Sequence, residues 1–135
     1  MYLLYIAFLS FAFCLGSVYF KTPEKRAYII SISYSLCLSC AGIWKLYYLI
    51  FEAKGSVSNE VMYSYDFVSV QACKLFVCGN VLDLVFGSFF YPKHLDLIFA
   101  WIHHSFYCLI TYFILEDGAA SLFAFFICCG NSDFY

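Results

Sequence analysis

The chain has 135 residues, 64% of them hydrophobic and 12% charged, with a formal net charge of −2. A soluble domain carries about twice that charged fraction, and 7 Lys and Arg against 9 Asp and Glu leave no broadly basic surface for nucleic acid. The charges sit in short segments separated by long uncharged runs, the pattern of an integral membrane protein.

Tyr2 to Phe20 is an uncharged run of 19 residues. At about 1.5 Å per residue it reaches roughly 29 Å, enough to cross a bilayer core. It lacks the basic n-region of a cleaved signal peptide and reads as a retained first helix. Lys21 to Arg26 (KTPEKR) is a polar turn. Ala27 to Phe51 forms a second expected span, with Ser31, Ser35, Ser39 and Gly42 recurring every three or four residues. Such a small-residue stripe lets membrane helices approach closely. At its far end Trp44, Tyr47 and Tyr48 form an aromatic belt, where Lys45 is expected to snorkel.

Glu52 to Asp66 is the longest polar loop, and Phe67 to Tyr91 the third span. Lys74 and Asp83 would each cost about 2.5–3.5 kcal/mol at a helix centre. The thirteen Leu, Val and Phe residues of the run return roughly 4–8 kcal/mol in all. The two nearly cancel, so this helix needs protein partners. Tyr91-Pro92 ends it, since proline cannot continue a helix, and Leu95 to Leu115 is the fourth span. Glu116-Asp117-Gly118 closes that span. Ala119 to Cys129 is apolar but about half a span long, so the expected fold is an all-α transmembrane bundle of four full spans and a partial fifth. Residues 1–129 form an incomplete membrane domain on this reading, with 130–135 as a short tail and the chain truncated relative to a longer protein.

The eight cysteines all lie in apolar runs and read as small buried hydrophobes. One CxxC, Cys37 and Cys40, without a second makes a zinc site unexpected. Three histidines in all are too few for a membrane di-iron oxidase, and no metal or cofactor is expected.

The candidate site lies between Gly79 and Thr111. Ionisable groups inside a membrane span are costly and mark function by default. Here they are Asp83 on the third span and the pair His103-His104 on the fourth; His94, at the interface, reads as a solvated loop residue. Cys73, Phe76, Asn80, Asp83 and Gly87 share one arc of their helix. Asp96, Ala100, His103, His104, Tyr107 and Thr111 share an arc of the next. The two stripes are expected to face each other or a wet cavity. A carboxylate can fix the tautomer of an imidazole that then moves a proton, carries an acyl group or binds a metal. The structural alternative is a hydrogen-bond network that holds the bundle together.

Leu82-Asp83-Leu84, Tyr91-Pro92, Leu95-Asp96, Trp101, His103-His104, Tyr107 and Gly118 together resemble the TLC-domain family of membrane proteins, which includes ceramide synthases. The resemblance is strongest over Gly79 to Phe126. It implies a helical bundle of the endoplasmic reticulum that handles membrane lipids, with sphingolipid or acyl-CoA as candidate ligands. In ceramide synthases the paired histidines belong to the acyl-transfer site, a role that would fall on His103 and His104. After the pair, Ser105 to Ile110 lacks the further acids of the ceramide-synthase signature. Lipid binding or sensing through Asp83, His103 and His104 is therefore the leading expectation, with N-acyl transfer and a proton or ion pathway as its rivals.

Loop charge gives orientation. Lys21, Lys25, Arg26 and Lys93 lie in the first and third connections, which the positive-inside rule assigns to the cytosol. An engineered glycosylation acceptor within Gly55–Asn59 is therefore expected to be modified in microsomes, and one within Lys21–Arg26 is not. The protein should stay in the membrane pellet in alkaline carbonate. Release into the supernatant would exclude integral insertion, and the opposite glycosylation pattern would invert the topology.

Overall fold

The computed structural model describes residues 1–52 and 66–120, and among these every regular element is helical. Helix α1 spans Tyr2–Tyr19, and the single-turn α2 spans Pro23–Arg26, with Pro23 at its first position. There the missing N–H is no loss, because that donor would lack a partner in any helix. Helix α3 spans Ile29–Tyr47 and runs into a π-helical turn over Tyr48–Glu52. Helix α4 spans Phe67–Phe90. A 3-10 turn over Pro92–His94 follows, then a π-helical run over Leu97–Ile102 and helix α5 over His103–Glu116. The expected half-length fifth segment beyond Ala120, the Glu52–Asp66 loop apart from its two ends, Cys128-Cys129 and the tail lie outside the described residues.

Among the described residues three helices are long and apolar enough to cross a membrane: Tyr2–Tyr19, Pro23–Glu52 and Phe67–Phe90. Leu3, Phe11, Val18, Leu36, Ile43 and Phe89 are all more than 60% exposed. Apolar surface displayed on this scale is unfavourable in water and favourable in hydrocarbon. Helix α4 differs from the other two. It buries 56% of its apolar window, against 11% for α1 and 22% for Pro23–Glu52. This is the helix that carries Lys74, which is half-buried, and Asp83, which is buried.

The chain divides into two compact units. Unit 1 comprises Met1–Tyr34 and Leu75–Ile110. In it Phe13 of α1 stacks on Phe86 at 4.6 Å between ring centroids and lies 5.2 Å from Phe90. Tyr34 of α3 sits on Gly79, where any β-carbon would come within 2.3 Å of its ring. Gly87 serves the return segment in the same way: a β-carbon there would meet Leu95 at 2.7 Å. Both glycines are sites where close approach leaves no room for a side chain. The expected small-residue stripe of α3 is only partly covered, with Ser31, Ser35 and Gly42 half-buried. Ile30, Tyr34 and Leu38 are buried, whereas Ser39 is exposed and its hydroxyl donates to the Ser35 carbonyl at 2.9 Å. A serine that returns its hydrogen bond to its own helix can face lipid without an unsatisfied donor, and the large apolar residues gain more from burial.

Unit 2 comprises Ser35–Lys74 and Thr111–Tyr135. Asp66 caps α4: its carboxylate accepts from the Val68 amide at 3.0 Å and the Ser69 hydroxyl at 2.7 Å. Its other partner is Lys45, which forms an ion pair with it. Lys45 thus does not snorkel to water. Its ammonium is drawn onto Asp66, 5.8 Å from the Tyr48 ring centroid, because a carboxylate within reach is a better partner than the interface. Burial pushes the Asp66 carboxyl up, but the hydrogen bonds from Lys45 and Ser69, the Lys45 charge and the Val68 amide outweigh it and hold it below the ordinary value.

A carboxyl so depressed contributes stability that is complete above its unfolded-state value and is lost as pH falls through the folded-state value. Melting of the detergent-solubilised protein is therefore expected to lose the Asp66 contribution only below about pH 4. Asp66→Ala should cost about 1–2 kcal/mol at pH 7, mainly as a lost helix cap, and should flatten that part of the acid limb. An Asp66→Ala variant with unchanged melting at pH 7 would show that cap and ion pair contribute nothing.

Candidate functional site

The site lies wholly within unit 1. Asp83 sits on the buried arc of α4 anticipated from spacing, with Cys73, Phe76 and Asn80 at 0–5% exposure and Asp83 itself at 7%. One carboxylate oxygen, Oδ1, accepts a hydrogen bond from the Tyr91 hydroxyl at 2.6 Å. The same hydroxyl lies 3.4 Å from the Asp83 backbone carbonyl. The other oxygen, Oδ2, faces Nδ1 of His104 at 3.7 Å. Both side chains of this second pair are nearly covered, at 10% and 12% exposure. Nδ1 of His104 is buried and has no hydrogen-bond partner in range.

His103 takes a different position. Its ring lies edge-on to Tyr107, with 4.5 Å between centroids, and 5.7 Å from the His104 ring. Tyr107 in turn meets Phe76 of α4 edge-on at 5.6 Å. The three residues expected to form the site, Asp83, His103 and His104, thus occupy one neighbourhood. The carboxylate addresses His104, and His103 extends the polar line toward Tyr107.

Two residues of this arrangement escaped the sequence reading as site members. Tyr91 served there to mark the end of a helix and as part of the Tyr91-Pro92 motif, not as a partner of Asp83. It leaves helical geometry at φ −145°, ψ 53° and folds its hydroxyl back onto a carboxylate eight residues earlier, which no helical spacing rule gives. Its ring is almost fully buried, at 2% exposure, with Phe13 of α1 6.5 Å away. Phe13 carries no polar signal at all and acts by packing.

The expected polar arc of the following segment needs one correction. Ala100 and Thr111 are buried, and His103, His104 and Tyr107 are half-buried, but Asp96 is exposed. Its Oδ1 accepts from the Ile98 amide at 2.8 Å, and its backbone carbonyl accepts from Ala100 and Trp101. Asp96 is a cap for the π-helical run. The Trp101 amide reaches back five residues to do this, the winding of a π-helix. An arc projected at about 100° per residue therefore loses register before His103, where ordinary α winding resumes. Single turns of π-helix recur at functional sites because they re-aim side chains that a regular helix would place elsewhere.

A carboxylate that holds a tyrosine hydroxyl on one oxygen and faces an imidazole nitrogen with the other can fix that imidazole's orientation. Nε2 of His104 is then the nitrogen left to meet a ligand. No group of three or more His, Cys, Asp or Glu able to hold a metal ion occurs among the described residues. No protein-family model, curated protein or solved structure matches the chain.

Removing the Tyr91 hydroxyl leaves one oxygen of a buried carboxyl without its donor. Tyr91→Phe is expected to cost about 1.5–3 kcal/mol, measured by unfolding in mixed micelles. Asp83→Asn retains an acceptor for Tyr91 and should cost less. In the cycle that combines Tyr91→Phe with Asp83→Leu the losses should be less than additive. Fully additive losses would show that the Tyr91–Asp83 contact carries no energy.

Proposed function

We propose that this protein is a TLC-type multispanning membrane protein that binds or senses a membrane lipid through Asp83, His103 and His104. Leu95–Leu115 is its fourth span in this reading, with the endoplasmic reticulum as its location. The observation that supports it best is the Asp83–His104 approach at 3.7 Å inside a run of apolar helix. A carboxylate and an imidazole there are costly unless they meet polar groups. A lipid amide, amine or hydroxyl supplies both a donor for the carboxylate and a partner for the imidazole while its chains stay in hydrocarbon. Sphingoid lipids carry that combination of groups.

A second reading is N-acyl transfer from an acyl-CoA to a lipid amine. The direction of the carboxylate toward Nδ1 of His104 favours it, because that arrangement leaves Nε2 as the proton-accepting nitrogen of a general base. The base would take the proton of the attacking amine, and the acyl carbon would exchange its thioester sulfur for that nitrogen.

Lipid retained through purification distinguishes these readings. The wild-type protein is expected to hold a lipid with an amide or amine headgroup that Asp83→Asn and His104→Ala lose by about tenfold, the loss of one hydrogen bond to a charged group. Trp101→Phe, on the exposed face, should retain it. Turnover of acyl-CoA by the same preparation would favour the transferase, and proton flux in liposomes that requires Asp83 would favour a proton pathway. Unchanged lipid content with all three polar residues replaced, at unchanged abundance, would leave a structural network as the account of the site.

A further inference from the structure

We propose that the end of unit 1 built from the first and third connections is a binding rim for anionic phospholipid headgroups. Four of the seven Lys and Arg residues of the chain are there: Lys21, Lys25, Arg26 and Lys93. The two connections meet in space. Nε2 of His94 lies 3.7 Å from the Glu24 carboxylate, so residues about 70 positions apart share one end of the unit. Arg26 secures the first connection by donating from Nε to the Phe20 carbonyl at 3.0 Å.

Charge at this end is unbalanced and available. Glu24 and Asp96 are the carboxylates of the two connections, so the end carries a formal +2, while the remainder of the chain carries −4 to reach its total of −2. Glu24 faces His94, and Asp96 caps the Ile98 amide. Among the described residues Lys21, Lys25 and Lys93 are exposed and form no ion pair. Lys45 shows the contrast, since it is drawn into an ion pair with Asp66.

Depth selects a lipid rather than a soluble anion. Exposed aromatic residues flank the cations at three of the helix ends here: Tyr19 and Phe20 before Lys21, Tyr28 after Arg26, and Phe89 and Phe90 before Lys93. The amphipathic rings of Tyr19 and Tyr28 suit the headgroup level, which puts the neighbouring ammonium groups beside lipid phosphates. Several basic residues immediately next to a membrane span attract anionic lipids over a Debye length. The rim and the Asp83 site are separate features, and the rim would hold headgroups whether or not the site binds lipid.

The test uses the full chain in phosphatidylcholine nanodiscs containing a minor fraction of phosphatidylserine. Spin-labelled phosphatidylserine and phosphatidylcholine report which lipid is immobilised by the protein. The wild-type protein is expected to prefer phosphatidylserine on the order of fivefold, the effect of about one engaged cation, and to lose the preference in high salt. Replacing Lys21, Lys25 and Lys93 together by Gln should abolish it, and replacing all three by Arg should keep it. No preference in the wild type, or the same preference in the Gln variant, would overturn the proposal. Displacement of the preference by millimolar inorganic phosphate, at constant ionic strength, would also overturn it, because the rim would then be a site for a soluble anion.

Discussion

A carboxyl group buried in an apolar membrane helix constrains everything near it. Asp83 cannot be hydrated in place, so the fold must bring polar groups to it. They come from beyond the helix end. Pro92 stops α4, Tyr91 turns back to donate to Oδ1, and the returning segment carries His104 to Oδ2. Gly87 lets Leu95 pass close enough for that return, and Phe13 of α1 packs where Tyr91 must stay. Reversing the chain and satisfying the carboxylate are thus one structural event. This is why the turn, the glycine and the acid recur within so short a stretch.

The same event defines the chemistry available. Of the two carboxylate oxygens, one is committed to a neutral hydroxyl and the other faces an imidazole that has no other partner on that nitrogen. The asymmetry gives the site a direction, from Tyr91 through Asp83 to His104. His103 stands to one side with Tyr107. The paired histidines are therefore not equivalent. One is addressed by the carboxylate and the other packs against a ring. A polar ligand entering from the lipid would meet them as two different groups. The π-helical run over Leu97–Ile102 lies just before them.

Charge elsewhere is handled by other means. Lys45 and Asp66 neutralise one another at the start of α4. Asp96 is spent on backbone amides. Among the described residues, exposed positive charge gathers at the end of unit 1 formed by Lys21–Arg26 and Lys93–His94, beside exposed aromatic residues. Polar groups thus sit in two places: the Tyr91–Asp83–His104 line on and after α4, and the exposed cations of the two connections.

Composition and run length determined the helical class and the three long apolar helices. Those are local properties: helix length is counted along the chain, and the cost of a charge in hydrocarbon depends on the residue itself. The same logic singled out Asp83, His103 and His104, since rarity in an apolar run is visible without coordinates. The Asp83 arc on α4 was also legible, because that helix winds regularly from Phe67 to Phe90. What only the tertiary structure decided were the partners. Tyr91 reaches Asp83 from outside helical geometry, and Lys45 finds Asp66 rather than water. Ile30, Tyr34 and Leu38 are buried on α3 while its small-residue stripe is only partly covered, and Asp96 leaves the polar arc because π winding breaks the assumed period. Each depends on where a second segment lies or on how a helix is locally wound, and one-dimensional spacing carries neither.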